Sequence, residues 1–276
     1  MSTGQTILLG AIAGATIFIG LPLGRLQGIG LRARTLLSGL ATGILLFLLV
    51  DILSSAIEPL EAATIAGHEG TGSWATLAGL AIVFVIGFGA GMLSLLYLAR
   101  YQRLGAGSRS RGPGAMSITE RAGDAPGALQ LGLSIAIGIG LHNFSEGLAI
   151  GQSAEAGEIS LALLLVIGFA LHNATEGFGI VGPLAAEGVR ASWGYLLLVG
   201  AVAGGPTVVG TIVGTAFTST AVFVLFLSLA GGAIVYVIAE LLNIGRRLDW
   251  GSTVWGLVFG FLLGLATELV LVASGA

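Results

Sequence analysis

Two copies of one short pattern carry the chemistry open to this chain. Leu141-His142-Asn143-Phe144-Ser145-Glu146-Gly147 returns thirty residues on as Leu171-His172-Asn173-Ala174-Thr175-Glu176-Gly177. The copies use two of the three histidines in the sequence, and both lie in segments that are otherwise apolar. On a helix, residues four apart sit about 40° apart around the axis, so each copy aims an imidazole and a carboxylate the same way. Asn143 and Asn173 face about 100° from their histidines and reach only the edge of such a site, or a second one beside it. Nitrogen and oxygen donors in a His2Glu2 set suit Zn2+, with Mn2+, Fe2+ and Cd2+ as rivals. The spacing is not His-Glu-x-x-His, so an intramembrane zinc protease lacks its motif.

Other chemistry fits the same residues. A single His–Glu pair in a membrane helix serves as an interhelical hydrogen bond or a proton relay; two copies at equal depth are hard to explain as packing. A proton-coupled carrier or channel would pass protons along His142, Glu146, His172 and Glu176 with no metal bound. A membrane metalloenzyme would need an open coordination position and a substrate pocket, and no further base or nucleophile stands near either copy. The expectation is therefore a carrier and not an enzyme.

The elements that position these residues follow from composition. The 276 residues are 55% hydrophobic and only 9% charged, with a mean hydropathy of +1.00, where soluble chains carry about 25% charged residues. The apolar runs are too long and too uniform for barrel strands. The fold class is an all-α integral membrane protein. Its 47 glycines let membrane helices approach closely. With no cysteine, disulfides and thiolate metal sites are excluded. Ile7 to Leu23 is apolar, but no positive charge precedes it and Arg25, Arg32 and Arg34 follow, so it is expected to be a retained first helix and not a signal peptide.

A hydrocarbon core of about 30 Å needs about 20 helical residues. Eight spans meet that standard, at roughly 5–23, 35–57, 74–99, 128–153, 159–182, 192–217, 219–242 and 253–273 in one polytopic domain. Between the third and fourth, 105–127 is rich in Gly, Ser, Arg and Pro and is expected to be a flexible cytoplasmic loop. All 11 basic residues are arginines in the connections that follow helices one, three, five and seven, which predicts those connections in the cytoplasm and both termini outside. Such a chain is a multi-pass protein of the cell membrane; anionic lipid head groups are its natural neighbours, and nucleic acid is not an expected partner. The opposite side carries Glu58, Glu61, His68, Glu69, Glu155 and Glu158, an acidic face that concentrates cations.

Consecutive spans are antiparallel, so helices four and five become an inverted pair at the centre of the bundle. That relation puts His142 at the depth of Glu176 and Glu146 at the depth of His172. Secondary transporters place their sites near the midplane at such an interface. Asp51 in the outer part of helix two and Glu240 near the cytoplasmic end of helix seven are candidate pathway acids; Glu268 reads as a helix-end acid reaching water. His68 is expected to lie in a Gly-rich outer loop, Pro206 to kink or break helix six, and Pro22 and Pro183 to sit at helix ends.

The chain resembles the ZIP (Zrt-, Irt-like protein) family of divalent metal transporters. The likeness rests on eight spans with outside termini, the long third connection, His142-Asn143-x-x-Glu146-Gly147 in helix four, and His172, Asn173 and Glu176 in helix five. Gly14 to Gly24 and Phe47-Leu48-Leu49-Val50-Asp51 are similar to the family's first two helices. The resemblance implies uptake of a divalent metal, zinc first, toward the cytoplasm. It also implies a moving bundle of helices one, four, five and six against a scaffold of two, three, seven and eight, often as a homodimer. One departure is that Gly205 precedes Pro206 where members with a binuclear site often carry Glu. A second metal position using Asn143 and Asn173 with shared Glu146 and Glu176 loses a carboxylate there.

Overall fold

The computed structural model describes residues 2–25, 30–107, 125–157, 159–216 and 219–273; within them, the side chains of 98–99, 101–107, 125–126, 160–161, 164, 171–172, 186 and 270–272 lie outside the description. Helix α1 runs Thr3–Ala15, resumes as Ile17–Gly20 and closes in a 3-10 turn, Leu21–Arg25. The others are α2 (Leu31–His68), α3 (Trp74–Gly107), α4 (Ala125–Glu155), α5 (Ile159–Glu187), α6 (Trp193–Gly214), α7 (Thr220–Leu248) and α8 (Trp250–Ala273). The described residues are all-helical with no strand, and eight helices are long and apolar enough to cross a membrane.

Several starts are set by side-chain caps, which satisfy main-chain donors that a helix cannot use itself. The Ser2 hydroxyl accepts from the Gln5 amide at 3.3 Å, and the Gln5 side chain accepts in return from the Ser2 amide at 2.9 Å. Ser192 accepts from the Tyr195 amide at 3.1 Å. Ser219 accepts from the Val222 amide at 3.4 Å at the start of α7. Asp249 alone joins α7 to α8, taking the Ser252 hydroxyl at 2.8 Å. That bond, with the helix start around it, holds the Asp249 carboxyl below the usual carboxylate range.

The expected spans need correction at their ends, mostly by extension. Helix two runs on through Pro59 to His68, 38 residues in all, or about 57 Å of helix, far longer than a bilayer core. His68 is therefore not in a loop: it closes α2 and packs edge-on against Trp74, ring centroids 5.2 Å apart. Helix five continues past Pro183 to Glu187, so Pro183 lies inside it, while Pro22 sits in the 3-10 turn. Pro206 does not break α6, which is continuous from Trp193 to Gly214. Residues 105–107 and 125–127 are helical, and the rest of the expected loop lies outside the described residues. Asp51 is at mid-length of α2.

Close contacts at glycine order the bundle. Gly140, Gly147 and Gly151 of α4 meet, in turn, Val202, Thr207 and Gly214 of α6, so these helices run parallel. Ile17 of α1 meets Gly177 of α5 and Gly24 meets Val181, again parallel. By the same reading α2 runs parallel to α8 (Gly39 to Thr253, Gly43 to Leu257) and α3 to α7 (Gly87 to Ser228, Gly91 to Leu229). Each pair joins two odd or two even helices, as a chain that reverses at every connection requires. Helices α1, α4, α5 and α6 pack into one group and α2, α3, α7 and α8 into another; α4 on α7 and α2 on α5 form most of the seam.

The arginines flanking the first connection meet partners from two other connections at one end of the molecule. Arg25 donates to the Ala191 carbonyl at 2.6 Å and lies 4.5 Å over the Trp193 ring. Arg34 lies against Gly188, and Arg32 is within electrostatic reach of Asp249. The connections after α1, α5 and α7 thus share one face.

Candidate functional site

The two motif copies are positioned by the glycines that end them. A Cβ on Gly147 would run into the main chain of Thr207 and Thr211, and one on Gly177 into that of Ile17. With only hydrogen there, α4 lies directly on α6 and α5 on α1. One turn earlier each asparagine faces the same neighbour. Asn143 Nδ2 donates to the Ala203 carbonyl of α6 at 3.1 Å, and Asn173 Nδ2 to the Ala13 carbonyl of α1 at 2.9 Å.

The remaining donors face the interior between α4 and α5. His142 and Glu146 are each 4% exposed, and Glu176, Asn143 and Asn173 are 0% exposed. His142 Nε2 lies 3.1 Å from Glu146 Oε1 and 4.0 Å from Glu176 Oε1. Among the described residues neither oxygen of Glu176 accepts a hydrogen bond; the Asn143 amide stands beside that carboxylate without completing one. The Oδ1 atoms of Asn143 and Asn173 are likewise buried without a hydrogen-bond donor among the described residues. Asp51 of α2, half-buried, is within electrostatic reach of both His142 and Glu176.

Not every expected ligand is placed. The His172 backbone belongs to α5, but its side chain lies outside the described residues, and with it the pairing of His172 to Glu146. Among the described residues, no three His, Cys, Asp or Glu side chains close into a group able to hold a metal ion. Glu240 lies eight residues before the end of α7 and accepts from the Tyr236 hydroxyl at 3.3 Å. Glu268 is half-buried within α8 and within electrostatic reach of Asp51.

Chemically, two carboxylates and an imidazole gathered within a low-dielectric bundle cannot all remain in their solution charge states without compensation. An ionised carboxylate withdrawn from water costs several kcal/mol (roughly) unless a cation, a proton or a full set of hydrogen bonds offsets it.

The partners of the two asparagines were missed from sequence, although a signal was present. Gly10-Ala11-Ile12-Ala13-Gly14 and Gly200-Ala201-Val202-Ala203-Gly204 are near copies, and the second alanine of each supplies the acceptor carbonyl. Gly14 and Gly204 touch each other where α1 and α6 cross. The repeated motif thus has a repeated receptor. Asn143→Ala and Asn173→Ala are each expected to lower unfolding stability by about 1 kcal/mol. The double variant should be additive to within about 0.5 kcal/mol, because the two bonds tie different helix pairs. Thermal unfolding in detergent measures this; an unchanged midpoint in either single variant would show that its bond contributes nothing.

A scan against protein-family models finds none that matches this chain, and no curated protein matches it.

Proposed function

We propose that this chain is a multi-pass carrier of divalent transition metal, zinc before Fe2+, Mn2+ or Cd2+, and a member of the ZIP family. The observation that carries the reading is Glu176: a wholly buried carboxylate with no hydrogen bond to either oxygen among the described residues, 4.0 Å from His142. In this reading α4 and α5 are an inverted pair. His142 with Glu176 forms one diagonal, Glu146 with His172 the other, and the ion is held between them with Asn143 and Asn173 at its margin. The ion is cargo. It neutralises the two carboxylates on arrival, and release follows when α1, α4, α5 and α6 move against α2, α3, α7 and α8, a grouping their packing supports. Asp51 and Glu240 would serve as stations before and after the site, and a homodimer is the assembly proposed for the membrane.

Zinc uptake by the purified protein in liposomes loaded with a zinc-sensitive dye tests the reading. The expected result is saturable uptake; uptake no faster than in protein-free liposomes would overturn it.

The 3.1 Å contact between His142 and Glu146 favours a second reading, in which the pairs relay protons alone. A pH-sensitive dye in the same liposomes, with elemental analysis of the protein after zinc saturation, separates the two. Proton flux without bound zinc supports the relay.

Orientation follows from the arginine-bearing face, proposed to lie in the cytoplasm of a cell membrane with both termini outside. With no native cysteine, single substitutions report sidedness directly. A membrane-impermeant maleimide applied to intact cells should label Ser2→Cys and spare Arg247→Cys; the reverse pattern would invert the topology.

A further inference from the structure

Behind the first motif copy, on the outer surface of the bundle, lies a crevice of about 370 Å³. Its walls are Leu141 and Phe144 of α4, Val202, Pro206 and Val209 of α6, and Phe226 of α7. None of these side chains is polar, and all belong to helix segments apolar enough to cross a membrane. Val209, at the mouth, is 51% exposed, so the crevice opens on whatever surrounds the spans. Water is a poor occupant, since apolar cavities lacking hydrogen-bonding groups stay dry. At that depth the surrounding medium is hydrocarbon. A cavity of about 150 Å³ accepts benzene, and this one has room for a run of methylenes.

The two motif copies differ at the residue that borders the crevice. The second copy has Ala174 where the first has Phe144, and there Gly20 of α1 covers the Ala174 carbonyl. The Phe144 ring reaches across to Phe226, centroids 4.2 Å apart and planes tilted by 35°. The crevice therefore lies on the seam between the group of α1, α4, α5 and α6 and the group containing α7.

We propose that this crevice holds one acyl chain of a membrane phospholipid, seated between the α4–α6 pair and α7. The proposal goes beyond the transport reading and stands without it. If the two helix groups also move against each other, a claim that does rest on that reading, the chain fills a space whose shape changes with the movement, which makes transport sensitive to acyl-chain structure.

The test uses the full chain in metal-free nanodiscs of phosphatidylcholine carrying a photoactivatable diazirine on one acyl chain, with labelled residues mapped by peptide mass spectrometry. Labelling at Leu141–Phe144 and Val202–Val209 is expected to exceed that at the exposed faces around Val85 and Phe259 by about fivefold. Val209→Trp, which plugs the mouth, should bring the crevice down to the level of those faces; Phe226→Ala, which enlarges it, should raise labelling further. Equal labelling of crevice and faces, or no response to Val209→Trp, would overturn the proposal. If Val209→Trp does not purify as a folded protein, Phe226→Ala decides, and unchanged labelling there counts against it. Because no metal is present, a failure of zinc uptake leaves this result untouched.

Discussion

Replacing Glu176 with glutamine is expected to abolish metal uptake while leaving the metal-free protein at least as stable as the wild type. The two halves of that result have one cause. Glu176 is fully buried and neither oxygen accepts a hydrogen bond among the described residues, so its negative charge is a burden on the metal-free fold. Glutamine keeps the shape and removes the charge. Toward a divalent cation the effect reverses, because a ligand and half of the neutralising charge are gone. Leaving a buried charge uncompensated costs about 3–5 kcal/mol, which is an affinity loss of about 100-fold or more. Thermal unfolding with and without zinc reads both halves. At zinc about 100 times its dissociation constant the wild type should gain about 2.7 kcal/mol, and Glu176→Gln close to none. Retained zinc stabilisation would remove Glu176 from the site. A large loss of stability in the metal-free variant would show that the carboxylate is a structural partner and not a waiting ligand.

The second large effect is expected at Gly147 and Gly177. A single methyl at Gly147 meets the main chain of Thr207 and Thr211, and one at Gly177 meets that of Ile17 and the Gly20 Cα. Main chain cannot turn aside as the end of a long side chain can, so the helices must separate. Separation strains the asparagine bond one turn away and displaces the glutamate that precedes each glycine. Gly147→Ala and Gly177→Ala should each cost about 1–3 kcal/mol by overpacking and lose most uptake. Gly205→Ala is the control: nothing lies within 4 Å of its added Cβ, so its stability should stay within about 0.5 kcal/mol of wild type. Equal behaviour of Gly147→Ala and Gly205→Ala would show that close approach of α4 to α6 is not what the fold requires.

Gly205, which the resemblance sets where members with a binuclear site often carry glutamate, has nothing within 4 Å of an added Cβ among the described residues.

By itself the sequence determined the all-helical membrane class and the eight candidate spans, and it predicts one arginine-bearing face, because each depends on properties summed along the chain. Hydropathy over about 20 residues and the placing of charge between spans survive errors of several residues at any boundary. It also singled out His142, Glu146, His172 and Glu176, since charged and titratable groups in apolar runs are costly enough to be conspicuous. Boundaries were less legible: α2 continues through Pro59 to His68 and α5 through Pro183, because a proline removes one hydrogen bond and its neighbours decide whether the helix goes on. Only the tertiary structure decided what each asparagine holds, that Asp51 comes within electrostatic reach of His142 and Glu176, and that Phe144 and Phe226 border a crevice on the seam. Those facts depend on which helices touch and at what height, and contact between segments far apart in the chain leaves no trace in the periodicity of either one.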